Sequence, residues 1–260
     1  MKKFYTVLIC SLFMLTLTAG QVLAETTAAE VIKAMEDLQN MNVDITAKVK
    51  LVQRKPDQGD KVFESVYYAR DSEDAFLIVM TAPDNEKGNG YLRVGDNMWM
   101  YRRNTRSFQM MNRDQSIAGT DSNAGDFESR KFTELYEPAV DDQGNDIFVE
   151  ETLGKAKIPV YRLEVKAKVK DVEYPKEIYW VRQDNFLTMK QQSYSLSGTL
   201  MQTSYYPKWT TIEGKYLPLN MIFVDEFEEG NRTMMELSGI SLKDIDDTIF
   251  TKAYLENLSK

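Results

Sequence analysis

Apolar and polar residues alternate along most of the chain. In residues 43–51 every second side chain is apolar and most of those between are polar, which predicts a β-strand with one buried face. Similar runs predict further strands at 62–70, 76–80, 91–94, 98–101, 108–111, 147–153, 160–169, 177–181, 187–195, 199–206, 216–225 and 233–240. Turns rich in Gly, Pro, Asn and Asp separate many of these runs. The pattern therefore predicts a mainly β (α+β) fold with one large antiparallel sheet, curled or barrel-like.

A short helix is predicted ahead of the first strand. Thr27 and Glu30 have the spacing of a capping box, in which each residue satisfies a backbone N–H near the helix start. Val31, Met35 and Leu38 follow at helical spacing, so we expect the helix to end near residue 40.

Residues 114–142 interrupt the series of strands. They begin as a polar loop and continue with apolar residues at helix-like spacing up to Tyr136, shortly before Pro138. The segment is expected either to cover the concave side of the sheet or to act as a simple crossover between two half-sheets.

The N-terminus has the features of a secretory signal peptide. Lys2 and Lys3 precede an apolar run at 4–17, and small or tolerated residues at 22–24 suit cleavage after Ala24. We expect residues 1–24 to be removed and residues 25–260 to form one domain. The alternative is an uncleaved anchor, although the apolar run is shorter than the roughly 20 residues that span a bilayer. Cleavage would remove Cys10, the only cysteine.

Composition excludes several classes of function. The 260 residues carry a net charge of -8, which argues against a nucleic-acid partner. There is no histidine, so Ser-His-Asp, Cys-His and His-ligated metal sites cannot form. Asp121, Asn123 and Asp126 are spaced somewhat like a calcium loop, but Phe132 stands where the closing Glu is expected. We predict no cofactor, no metal site and no enzymatic activity.

Methionine and aromatic residues concentrate in the segment 98–101, Met-Trp-Met-Tyr. Successive side chains of a strand point to opposite faces, so both faces of this strand are apolar. Either protein or a ligand must cover the second face. Methionine-rich surfaces suit adaptable apolar recognition, which keeps the ligand alternative open beside burial under helices.

A group of arginines follows this strand in an otherwise acidic chain. Arg102, Arg103, Arg106 and Arg113 could protect an edge strand from pairing with another sheet, or they could bind an anionic group.

The order of these features resembles the LolA-like family of outer-membrane lipoprotein-sorting proteins. The resemblance lies in the opening helix, residues 95–101 followed by arginines, Gly125-Asp126-Phe127 before a helix, residues 178–185, Gly214-Lys215-Tyr216-Leu217-Pro218, residues 233–240 and Ile249-Phe250-Thr251. It implies an unclosed antiparallel half-barrel, LolA/LolB-like, whose helices cover the concave face and enclose an apolar cavity.

The resemblance also implies a function. The chain would be a periplasmic carrier for acyl chains of lipoproteins or lipids, with transient contacts to inner- and outer-membrane components. The apolar ligand site is predicted at Phe76, Ile78, Trp99, Tyr101, Trp180, Met221 and Phe223, with Arg102, Arg103 and Arg106 meeting a headgroup or partner. The alternatives are an envelope sensor that uses the same cavity and binds a regulatory protein, and an enzyme that acts on envelope lipid.

Overall fold

The computed structural model describes residues 26–39, 41–56, 58–112, 114–124, 132–170 and 172–258. The predicted signal peptide, Arg113 and Asp126 lie outside the described residues. No helix among the residues described is long and apolar enough to cross a membrane.

The described residues form one antiparallel sheet of 14 strands and three α-helices. The strands, β1 to β14 in chain order, are Asp44–Lys55, Gly59–Arg70, Ala75–Ala82, Gly90–Val94, Asn97–Arg102, Ser107–Met110, Tyr136–Pro138, Phe148–Leu153, Ile158–Ala167, Lys176–Arg182, Thr188–Tyr194, Leu200–Ile212, Lys215–Asp225 and Arg232–Ser241. The helices α1, α2 and α3 are Ala28–Gln39, Phe132–Leu135 and Lys252–Leu258.

The sheet is open. Its strand order is β6-β5-β4-β3-β2-β1-β14-β13-β12-β11-β10-β9-β7, and β8 also pairs with β9. Strand β6 forms one edge and β7 with β8 the other, and no pairing among the described strands joins these edges. Pairing of β1 with β14 places the first and last of these strands side by side in the middle of the sheet. The predicted large, unclosed antiparallel sheet is therefore confirmed.

Helix α1 begins with the predicted capping box. The Thr27 N–H donates to Glu30 Oε2 at 2.9 Å, and the Glu30 N–H donates to Thr27 Oγ1 at 3.2 Å. Val31, Ile32 and Met35 are buried on the side of α1 that faces the sheet and α2. The helix is therefore held by its apolar face as well as by its cap.

The two faces of the sheet are covered by different elements. The inner face carries side chains such as Val49, Phe76 and Phe223, and it lies beneath α1, α2 and the loop at 114–124. The outer face carries Leu77 and Leu92, which pack against α3 and the segment before it. The expectation that helices cover the concave face therefore holds for α1 and α2, whereas α3 lies on the other side.

The interrupting segment covers the inner face at least in its described part. Ile117 and Ala124 are buried in the same cluster as Phe76. The Ala118 N–H donates to Tyr91 Oη at 2.8 Å, and Gln53 Nε2 donates to the Gly119 carbonyl at 2.7 Å. Of the two alternatives, covering the sheet is the one observed.

Strand β7 is the one described strand that the sequence pattern did not predict, and helix α3 was not predicted either. Helical spacing extended to Tyr136, but α2 ends at Leu135 and Tyr136–Pro138 pairs with the end of β9. The Tyr136 hydroxyl donates to the Tyr174 carbonyl at 2.9 Å, which fixes the chain in this extended position.

Candidate functional site: an apolar cavity under the inner face

A cavity of about 250 Å³ lies between the inner face of the sheet and helices α1 and α2. One water molecule needs only about 10–15 Å³ of comparable space, so this is a ligand-sized space and not a packing defect. The apolar part of its wall includes Val49, Phe76, Met221, Phe223, Met235 and Leu237. Met35 and Leu38 of α1 and Phe132 of α2 form part of the wall on the helix side.

Strand register explains why these side chains share one face. Val49 pairs with Leu237, and Met221 pairs with Met235. Residues that lie directly opposite each other in neighbouring antiparallel strands project to the same side of the sheet. The row therefore continues from strand to strand and makes an apolar floor.

A buried arginine forms part of the cavity wall. Arg70, at the end of β2, donates from Nε to Asp44 Oδ1 at 3.0 Å and from Nη2 to Asp44 Oδ2 at 2.9 Å. Its Nη1 donates to Asp247 at 2.5 Å, and Nη2 also donates to the Ile245 carbonyl. The guanidinium lies over the Phe250 ring, 5.1 Å from the centroid. Arg70 therefore ties the start of β1 to the segment that leads into α3.

This contact changes the acidity of Asp44. Hydrogen bonds from Arg70, and secondarily from the Ile245 backbone N–H at 2.6 Å, hold the pKa of Asp44 below its ordinary value. The carboxylate therefore stays ionised beside the cavity at neutral pH.

A polar group lies along the opposite part of the inner face. Glu177 of β10 is fully buried and accepts hydrogen bonds from Tyr179 Oη at 2.5 Å, Gln191 Nε2 at 2.8 Å and Ser193 Oγ at 3.3 Å. Tyr179 and Gln191 also line the cavity. Tyr206 Oη donates to Gln191 Oε1 at 3.2 Å, which extends the group onto β12. The wall of the cavity is thus mainly apolar and carries polar side chains from β2, β10, β11 and β12.

An irregular stretch of β12 brings two aromatic side chains into the cavity wall. The pairing of β12 with β13 shifts between Tyr205 and Lys208 and again between Lys208 and Trp209. In a regular strand, Tyr206 and Trp209 would point to opposite faces, but both line the cavity, with ring centroids 6.0 Å apart. Pro207 lies inside this irregular stretch and has no N–H to donate to the ladder.

Three of the seven residues predicted for the apolar site line this cavity: Phe76, Met221 and Phe223. Ile78 projects from the same face of β3 and is buried in the same cluster, but it is not part of the wall. It packs in the cluster that contains Ile117 of the covering loop.

The other three predicted residues require a correction, because they project from the outer face. Trp99 and Tyr101 of β5 pack with Leu77, Leu92 and α3, and Lys252 Nζ lies 4.0 Å from the centre of a Trp99 ring. In the strand 98–101 the methionines, Met98 and Met100, belong to the inner cluster instead. The alternation was interpreted correctly, but the aromatic pair was assigned to the wrong face.

Trp180 is displaced from the cavity for the same reason. Its neighbours Tyr179 and Val181 face inward, whereas Trp180 packs with Val160 and Ile178 on the outer face. Its Nε1 donates to Glu151 at 2.5 Å, and Lys190 Nζ lies 4.1 Å from a ring centroid.

The predicted arginines lie at the sheet edge, away from the cavity wall. Arg102 ends β5, and Arg103 and Arg106 lie in the turn that leads into the edge strand β6. Arg102 Nη1 is 3.5 Å from Glu86 Oε2, and the Arg103 N–H donates to Asn89 Oδ1 at 2.9 Å. Arg106 is exposed and has a left-handed backbone with φ of 51°. This placement matches the edge position that charged residues protect in open sheets.

Several wall residues were not predicted as site residues. Val49 and Leu237 were visible as apolar positions of alternating strands, and Met35 as part of the apolar stripe of α1. No local signal marks Trp209, because its orientation depends on the irregular pairing of β12. Arg70 and Asp44 are 26 residues apart and meet only through the pairing of β1 with β2.

Comparison with known proteins gives a fold and a family description. A family model described as "Uncharacterized protein" matches residues 72–257. None of the curated proteins matches the chain.

Three solved structures share the fold over nearly their whole length. A LolA superfamily protein from Nitrosomonas europaea is 24% identical, with a TM-score of 0.73 over 88% of this chain and 100% of that chain. A DUF1329 family protein from Desulfovibrio piger is 19% identical, with a TM-score of 0.74 over 86% and 98%. A putative outer membrane lipoprotein-sorting protein domain from Vibrio parahaemolyticus is 16% identical, with a TM-score of 0.75 over 87% and 97%. The fold of this chain is therefore LolA-like, as the sequence resemblance indicated.

Proposed function

The chain belongs to the family described as "Uncharacterized protein", and for this member we propose a non-enzymatic periplasmic carrier. It would bind acyl chains of lipoproteins or lipids in the inner cavity and move them toward the outer membrane. Residues 25–260 would act as one domain after removal of a signal peptide. The observation that carries the proposal is the cavity of about 250 Å³ with an apolar floor drawn from β1, β3, β13 and β14.

The chemistry of the wall suits an acyl chain. Burial of a chain yields about 0.8 kcal/mol per methylene, so even part of a chain supplies several kcal/mol. Methionine side chains at positions 35, 221 and 235 are flexible and polarizable, and they can adapt to chains of different shape. The sorting protein domain from Vibrio parahaemolyticus shares the fold, which supports this class of cargo.

Helix α1 is a candidate for the part that moves. It lies over the cavity through Met35 and Leu38, and residues 41–43, of which Met41 and Val43 line the cavity, connect it to β1. A shift of one short helix would widen access without breaking the ladder of the sheet. Cargo release would then require little rearrangement of the core.

Photo-labelling tests the carrier function. A photo-reactive palmitoyl lipid should label residues from several inner-face strands of the wild-type protein. Leu237→Gln places a polar amide in the cavity wall. Labelling should fall several-fold, because binding of the acyl chain must then remove water from that amide. Ile222→Gln is the matched control, since Ile222 lies on the neighbouring strand β13, is also half-buried and does not line the cavity.

The outcomes separate binding from stability. If both variants fold and only Leu237→Gln loses labelling, the cavity is the binding site. Equal labelling of all three proteins, or labelling confined to outer-face residues, would contradict the proposal.

The arginines belong to a second part of the proposal, contact with an anionic headgroup or partner. Charge reversal at Arg102 and Arg103 should weaken transfer to membranes and leave cavity labelling intact. The loss should be greatest at low salt, where surface charges are least screened. Unchanged transfer would leave the arginines with edge protection alone.

A further inference from the structure

The covering loop, residues 115–124, is held together by hydrogen bonds of its own. Ser116 and Asn123 form an antiparallel bridge, and the Ile117 N–H donates to the Ser122 carbonyl at 2.8 Å. These contacts do not involve the sheet. They would therefore survive if the loop moved off the inner face as a unit.

Three polar side chains of the sheet bind the main chain of this loop. Gln53 Nε2 donates to the Gly119 carbonyl at 2.7 Å, and Gln202 Nε2 donates to the Asp121 carbonyl at 3.1 Å. The Asp121 N–H donates to Thr233 Oγ1 at 3.0 Å. Gln53, Gln202 and Thr233, here called the polar strip, are each more than nine-tenths buried. The loop is thus docked through amide groups that any polypeptide possesses.

The polar strip continues the strands that form the cavity floor. On β14, Thr233 lies two residues before Met235, and on β1, Gln53 lies four residues after Val49. Residues two or four apart in a strand share a face and are separated by about 7 or 13 Å. A cargo whose acyl chain fills the cavity would therefore bring the group attached to that chain close to the strip.

The contacts indicate which kind of group the strip can bind. Glutamine side chains can donate to carbonyl oxygens, and a threonine hydroxyl can accept from an N–H. Main-chain hydrogen bonds supply affinity without reading sequence. All three side chains of the strip are neutral, whereas phosphate groups are preferentially bound by Arg and Lys. Lys55 and Asp225, the charged side chains that act on Asp121, have opposite signs. An uncharged segment that carries amides fits this surface best.

We propose that the polar strip binds main-chain amides of a polypeptide joined to the acyl chain in the cavity, and that the covering loop occupies the strip until such cargo displaces it. This inference rests on the proposed carrier function and specifies the ligand as a lipid-modified polypeptide. Displacement would uncover the apolar cluster in which Ile117 and Ala124 are buried, and the acyl part of the cargo would cover it in turn.

A loop variant that leaves the strip unchanged tests the competition. Asp121→Ala removes the carboxylate oxygen that accepts from Thr233 Oγ1 at 2.8 Å. The probes are a palmitoylated peptide of alternating Gly and Ser with an amidated C-terminus, and the methyl ester of palmitic acid. Affinity for the lipopeptide should rise about two- to tenfold, the range of one net hydrogen bond lost by the competing loop, whereas affinity for the ester stays unchanged.

Asp114→Ala is the matched control. Asp114 is an exposed acidic residue just before the loop, and none of the contacts with the strip involves it. Affinity for the lipopeptide should therefore equal that of the wild type.

Hydrogen exchange of the wild-type protein provides a second measurement that requires no variant. The Ala118 N–H donates to Tyr91 Oη at 2.8 Å, and the Asp121 N–H donates to Thr233. Both amides should exchange faster when the lipopeptide is bound and should keep their protection with the methyl ester.

The results distinguish the inference from the function on which it rests. If both probes bind, but Asp121→Ala does not favour the lipopeptide or the loop amides stay protected, the role of the strip is overturned and the carrier remains. Binding of neither probe to wild-type protein would overturn both.

Discussion

Arg70 makes a nearly buried ion pair whose loss should destabilise the fold strongly. Arg70→Met keeps an unbranched apolar stem, but it removes the guanidinium and leaves Asp44 without its cation. The two side chains of the pair are 10% and 11% exposed, and the geometry is bidentate. Asp247, also paired with Arg70, is 90% exposed and should add little.

A second pair on the same two strands provides the matched control. Arg54 of β1 makes an equally bidentate contact with Asp60 of β2, at 2.8 and 2.7 Å. Its side chains are 45% and 39% exposed. Residue type and bidentate geometry are the same in both pairs, and they differ in burial and in the further contacts of Arg70 with Asp247, the Ile245 carbonyl and the Phe250 ring.

The magnitudes follow from that difference. Removing one partner of a buried pair costs about 3–5 kcal/mol, because the remaining charge is uncompensated. An exposed pair contributes about 0–1 kcal/mol. We therefore expect Arg70→Met to lower the free energy of unfolding by about 3 kcal/mol or more, a large share of a typical total of about 5–15 kcal/mol. Arg54→Met should lower the free energy of unfolding much less, because the Arg54–Asp60 pair is exposed to solvent.

Urea denaturation, followed by tryptophan fluorescence and circular dichroism, measures both losses. The slope with denaturant should be unchanged, so that a shift in midpoint reports stability. Similar losses for Arg70→Met and Arg54→Met would refute the reasoning, because burial would then have no effect on how much an ion pair contributes to the free energy of unfolding.

The same pair makes stability depend on pH. The folded-state pKa of Asp44 is lowered, chiefly by Arg70. The contribution of ionised Asp44 to the free energy of unfolding is therefore complete above the ordinary Asp pKa of about 3.9. It is lost as pH falls through the lower folded-state pKa. Asp44→Asn should remove this part of the acid sensitivity, measured by urea midpoints across that range.

Three further predictions concern other parts of the fold. Thr27→Ala removes one half of the capping box and should cost about 1 kcal/mol in thermal unfolding. Gly90→Ala places a methyl group 2.6 Å from Leu255 Cδ1 and 2.8 Å from a backbone carbonyl oxygen of β3, so we expect a loss of about 1–3 kcal/mol that Leu255→Ala does not restore. Burial raises the pKa of Asp121, so wild-type stability should fall as pH rises through that pKa, and Asp121→Asn, which can still accept from Thr233, should remove this dependence.

Local patterns predicted most of the secondary structure. Alternation indicated every strand except β7, which has only three residues and follows a helical run without a break. The capping box fixed the start of α1 because its two hydrogen bonds join residues only three apart. Contacts between residues that are so close in the chain can be predicted from the local sequence alone.

The faces of the strands were harder to predict. Alternation shows that residues 98–101 divide into two pairs, but both pairs are apolar and neither marks the inner side. The choice is made by α3, whose Leu255 packs in the same outer cluster as Tyr101. Trp209 and Arg70 depend on strand irregularity and on contacts between distant segments, which no local pattern encodes.

The most direct test of the carrier function is to purify the protein from its native envelope and extract what accompanies it. Mass spectrometry and quantification against protein should find an acyl-bearing molecule at close to one per chain, reduced in Leu237→Gln and retained in Ile222→Gln. A correctly folded protein that carries no acyl-bearing molecule, and takes up none when the photo-reactive lipid is offered, would contradict the account.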